Sequence, residues 1–90
     1  MDIKEREYYD LQLAAFLMTV GHPLLRPPYP DQANPNRLVF VFEDTPELQK
    51  HALDFFNRTA VINAALFADH LKNLKGYVRE LANAKKRARL

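Results

Sequence analysis

The stretch Leu38-Val39-Phe40-Val41-Phe42-Glu43-Asp44-Thr45-Pro46-Glu47-Leu48 decides how the chain is read. Its first five residues are β-branched, aromatic or Leu, the composition of a strand that packs on a pleated surface. Successive strand side chains point to opposite faces, so Leu38, Phe40 and Phe42 share one side and Val39 and Val41 the other. Both sides are apolar, which predicts cover on both, from helices on more than one side or from a partner chain. The strand, over residues 37–43, runs straight into a helix start. Thr45 can accept a hydrogen bond from an orphan backbone N–H, Pro46 fits the first turn, and Glu47 meets the positive end of the helix dipole. This helix is expected to reach about residue 57, with Leu48, Ala52, Phe55 and Phe56 inward.

Upstream, residues 31–36 supply turn chemistry, with Asn34-Pro35-Asn36 as its strongest marker, and make the strand one arm of a β-hairpin. Five of the six prolines lie between Pro23 and Asn36, which excludes helix there; Leu24 and Leu25 predict a short edge strand ending at Pro27-Pro28. Before it, Tyr9, Leu13, Phe16, Leu17 and Val20 follow the spacing of one buried helical face, stopped by Gly21-His22-Pro23. Asp2 with Glu5 resembles a capping box at the start of this helix, although the mixed charges of residues 4–7 also favour fraying.

Downstream, residues 58–62 form a connector with a brief strand through Val61, and Asn63 caps the last helix. There Phe67, Leu71, Leu74, Val78 and Leu81 alternate spacings of four and three, a heptad-like seam. It packs on the domain's own core or on another helix, and fewer than three full heptads favours the first. The expected fold is α+β, an N-terminal helix, a β-hairpin and two C-terminal helices, in one small domain over residues 1–84. Residues 85–90 form a frayed, solvated basic tail.

Composition bounds the function. Ninety residues, 48% of them hydrophobic and including six Phe and four Tyr, fill one modest core. The absence of Cys excludes disulfides and thiolate metal sites. The longest apolar stretch, residues 11–20, is interrupted by Gln12 and Thr19 and is shorter than the roughly 20 residues a membrane span needs. Asp2, Glu5, Glu7 and Asp10 before it carry the wrong sign for a secretory signal. The expectation is a cytoplasmic protein with no membrane partner.

Little in the chain suggests catalysis. There is no Ser and no Cys, and Gly21 and Gly76 are the only glycines, so no phosphate-cradling loop exists. Glu43, Asp44 and Glu47 suit dipole compensation better than a converging catalytic or magnesium set. His51 with Asp54, and Asp69 with His70, approach ligand spacing, but a third and fourth ligand are not evident. No enzyme activity, catalytic residue, metal or cofactor is expected.

The net charge of +2 conceals an asymmetry. Residues 1–71 hold six basic and ten acidic side chains, whereas residues 72–90 hold seven basic side chains and only Glu80. Lys72, Lys75, Arg79 and Lys86 recur at helical spacing off the seam, and with Lys85, Arg87 and Arg89 they would neutralise phosphates of DNA or RNA without reading sequence. A solubilising helix end explains the same charges, and an acidic protein partner is a third reading. The competing class is a protein-interaction module, including a homodimer, that uses the apolar strand and Leu71, Leu74, Val78 and Leu81. A ribbon-helix-helix unit is disfavoured, since Val39 and Val41 offer no hydrogen bonds to base edges.

Asp10-Leu11-Gln12-Leu13-Ala14-Ala15-Phe16-Leu17 with Gly21-His22, the junction from Leu38 to Leu48, Phe55-Phe56-Asn57, and Asn63 with Leu71-Lys72-Asn73-Leu74-Lys75 together resemble a family of short uncharacterised bacterial and phage proteins. The likeness covers roughly residues 8–77 and implies a fold without implying an activity. The proline-rich hairpin connection and the basic end from Tyr77 depart from the family pattern, and a function particular to this chain is expected there.

Overall fold

The strand over Leu38–Glu43 (β3) lies at the middle of a three-stranded antiparallel sheet, between Glu5–Tyr8 (β1) and Tyr29–Pro30 (β2). Helices Leu11–Thr19 (α1), Pro46–Phe56 (α2) and Ala64–Ala88 (α3) complete the α+β fold. The computed structural model describes residues 3–88, with side chains within α3 described through Ala84.

β1 corrects the expected start of the chain. Glu5–Tyr8 is not a helical turn: Glu5 stands across from Glu43, Arg6 from Phe42, Glu7 from Val41 and Tyr8 from Phe40. The ladder continues as Asp44 N–H donates to Lys4 O at 2.8 Å. Pairing with an apolar strand outweighs one acidic pair's weak local helix signal. α1 begins only at Leu11, because the Asp10 carboxylate accepts from the N–H groups of Gln12 and Leu13 at 2.9 and 3.1 Å. Tyr9 therefore lies outside the helix and is exposed.

α1 stops as expected. Gly21 takes a φ of 106°, and the Gly21 and His22 N–H groups return to Met18 O and Leu17 O at 3.2 and 3.0 Å. The hairpin arm differs from expectation: Leu24 makes a single bridge to Phe42, and regular pairing waits until Tyr29–Pro30, beyond Arg26-Pro27-Pro28. Pro30 is tolerated because β2 is an edge strand. The turn is built as the sequence implies, with Ala33 N–H on Asp31 Oδ1 and Asn36 N–H on Asn34 Oδ1, both at 3.2 Å.

All three helices contribute to one core against Leu38, Phe40 and Phe42; it includes Leu13, Phe16, Leu17, Leu48, Ala52 and Leu74. Val39 and Val41 are buried too, yet stand outside that cluster. Tyr29 lies directly across from Val39 and Glu7 from Val41, so the sheet's own side chains roof the second face. The expectation of helices on both sides, or of a partner chain, is corrected accordingly.

In α2, Thr45 Oγ1 accepts from Leu48 N–H at 3.1 Å. Phe56, expected inward, is 62% exposed, because it lies about 100° round the helix from Phe55, whose ring packs 5.4 Å from that of Phe16. The helix ends with Arg58 at φ 58°, its N–H on Phe55 O and the Thr59 N–H on Asp54 O. No strand forms at Val61, which is 95% exposed. Asn63 caps α3, its Oδ1 accepting from Leu66 N–H at 3.0 Å. α3 packs chiefly on α1 and runs unbroken past residue 84 to Ala88.

Candidate nucleic-acid interface on the last helix

α3 presents its sides to different surroundings. Along the seam, Leu74 is buried, while Phe67, Leu71 and Leu81 are partly buried against the core and Val78 is 44% exposed. Of the four residues considered for an interface between chains, Leu71, Leu74 and Leu81 thus pack within this one, and Val78 faces outward beside Asn36.

Lys72, Lys75 and Arg79 are exposed. At about 100° per residue they fall within an arc of roughly 60° that flanks the seam, with Lys75 about 40° round the helix from Leu71. The ion pairs formed among the described residues are Arg26 with Glu5 and Arg37 with Asp31, so none of the three cations is neutralised by a carboxylate there. Lys85, Lys86 and Arg87 continue the helix, but their side chains lie outside the described residues, as does all of Arg89. Tyr77 is on another flank, where it lines a groove of about 470 Å³ with Met18, Leu24, Asn73 and Glu80. The cationic arc therefore offers charge without an aromatic platform.

The acidic residues at the start of α2 do not converge. Asp44 accepts from Gln49 Nε2 at 2.9 Å, and Glu47 sits in the first helical turn. Among the described residues no three His, Asp or Glu side chains are placed to hold a metal ion.

One contact escaped the sequence reading. His22, just beyond α1, and His51, midway along α2, share a hydrogen bond, Nε2 to Nδ1, at 2.8 Å. Burial and the neighbouring His51 push the His22 pKa down, against a smaller upward pull from Glu47. Twenty-nine positions separate the two rings, so local spacing carried no sign of the pair. His22 also borders an open cleft of about 530 Å³ with Met18, Pro23, Leu24 and His70.

The outer face of the sheet was missed as well. Arg26 Nη2 donates to both oxygens of Glu5, and Arg37 Nε donates to Asp31 Oδ2 at 2.7 Å while its guanidinium lies 4.0 Å from the centre of the Tyr9 ring. The alternation Glu5, Glu7, Tyr9 was the available signal, a period of two hidden beneath a helical interpretation.

Three helices closed over one face of a three-stranded antiparallel sheet define a small α+β domain among the described residues. The chain belongs to the family described as a domain of unknown function (DUF5659), whose model matches residues 5–80, from β1 into the cationic part of α3. No curated protein and no solved structure matches it. No helix among the described residues is long and apolar enough to cross a membrane.

Proposed function

We propose that this is a non-enzymatic accessory protein, cytoplasmic and of bacterial or phage origin, that contacts DNA or RNA through the basic face of α3. The supporting observation is the exposed row Lys72, Lys75 and Arg79, without an ion pair among the described residues, on a helix whose adjoining face is fixed to the core. A rigid helix holds these charges in line, and the basic residues that follow Arg79 in the sequence add to the same positive charge. Binding is by phosphate neutralisation, without base recognition.

An electrophoretic shift at low salt tests this, using single- and double-stranded DNA and RNA. Binding is expected to weaken with salt at a logarithmic slope of about −0.9 per neutralised phosphate on duplex DNA, and to be lost in the triple variant Lys72→Glu, Lys75→Glu, Arg79→Glu. Absence of a shift with all four nucleic acids overturns the proposal.

A second reading, a protein-interaction module or homodimer, is favoured by a different surface from the one first expected. Leu53 and Phe56 are 58% and 62% exposed and flank a groove with Tyr8 beside the edge strand β1. Light scattering of the wild type and of Phe56→Ser distinguishes self-association there from a monomer.

A further inference from the structure

On the outer face of the sheet, Glu5 is held by Arg26 and Asp31 by Arg37, and in each case the hydrogen bond from the guanidinium draws the carboxyl below its usual range. Glu7 has no Lys, Arg or His partner among the described residues. Its oxygens instead meet two phenols, Tyr9 OH at 3.3 Å from Oε2 and Tyr29 OH at 3.4 Å from Oε1. Both contacts are long for an O–H···O bond, so they orient the carboxylate without closing it off as Arg26 closes off Glu5. Both tyrosines are pushed toward higher pKa, first by burial and then by the charge of Glu7.

Beside Glu7 lies a cavity of about 390 Å³, with Val39 at its base and Tyr29, Pro30, Asp31 and Gln32 around it. The same surface already shows what such chemistry holds. Arg37 sits over the Tyr9 ring with its charge on Asp31, a cation between an aromatic face and a carboxylate. Tyr29 hydrogen-bonds Arg26, whose charge is held by Glu5, so the ring of Tyr29 and the carboxylate of Glu7 remain as that pairing for a cation from outside the chain.

We infer that the pocket between Glu7 and Tyr29 binds an organic cation, an alkylguanidinium or alkylammonium group. The charge lies against Glu7 and the face of Tyr29, and the alkyl stem lies along Pro30, above the buried Val39. An arginine side chain of a partner peptide and a free polyamine share this chemistry. The inference is independent of nucleic-acid binding by α3, which uses charges of the opposite sign on a different element.

Nitrogen-15 NMR titration of the full chain tests it, with N-acetyl-arginine amide in one arm and spermidine in the other. Saturable shifts are expected at Glu7, Tyr29, Gln32 and Val39 with at least one probe, the stronger one naming the source. Loss of a charge-assisted contact in Glu7→Gln is expected to weaken binding by roughly tenfold. Tyr29→Phe keeps the aromatic face and is expected to retain binding, whereas Tyr29→Leu is expected to weaken it, with thermal melts confirming that each variant is folded. No saturable shift with either probe, undiminished binding by folded Glu7→Gln, or shifts centred on Glu43, Asp44 and Glu47 would overturn the inference.

Discussion

On one face of β3, Leu38, Phe40 and Phe42 are closed over by side chains from all three helices; on the other, Val39 and Val41 are as deeply buried beneath residues of the sheet itself. The first face is kept dry by apolar volume. The second carries Tyr29 across from Val39, within a surface of tyrosine rings and of arginines whose charged ends reach carboxylates. A two-layer domain of this size thus manages without a third layer, and the two faces are expected to respond differently to mutation, acid and salt.

Removing volume gives the largest contrast. Phe40→Ala opens a hole that the surrounding helices cannot fill and is expected to cost about 3–5 kcal/mol in denaturant unfolding. Val41→Ala removes two carbons from beneath a polar roof that can settle, and is expected to cost about 1.5 kcal/mol. A cost at Val41 well above the roughly 0.8 kcal/mol that each buried carbon carries would show that the outer face cannot settle and is a packed core in its own right.

Acid separates the faces next. Because its pKa in the fold is lowered, His22 resists a proton that the unfolded chain accepts near its ordinary value of 6.5. Stability is therefore lost as the pH drops through that value, and His22→Gln is expected to remove this step from a thermal-melt pH series. The depressed carboxyls of Glu5 and Asp31 act in the same direction at lower pH. Their contribution is present above ordinary values of 4.5 and 3.8 and is lost as the pH falls below them. Two separate acid steps are the expected signature, the first from the helical side and the second from the sheet's outer side.

This contrast also explains what the sequence made legible. Thr45-Pro46-Glu47, Gly21 and Asn63 announce helix ends through bonds to residues at most five positions away, and all three act as anticipated. Phe40 and Phe42 advertise a core through composition alone. Glu5–Tyr8 did not reveal itself because its strand character comes from β3, more than thirty residues downstream, and Phe56 misled because an aromatic residue at a helix end carries no mark of its facing. For the candidate interface, charge counting located Lys72, Lys75 and Arg79 but not the freedom of their surroundings. Only the packing of α3 shows that Leu74 is engaged within the chain.

The smallest expected effect isolates what the outer face owes to geometry instead of charge. Arg37→Lys preserves the positive charge near Asp31 but replaces the planar group lying 4.0 Å from the Tyr9 ring with a compact ammonium. If flat stacking helps to roof Val39, the variant is expected to lose about 0.5 kcal/mol, the magnitude of an exposed cation–π contact. Added salt is expected to leave most of that difference in place, because the variant keeps the charge that salt screens. A difference that vanishes in salt would assign the roof to electrostatics alone. The outer face would then differ from the helical one in the kind of force that covers it, with the shape of the guanidinium playing no part.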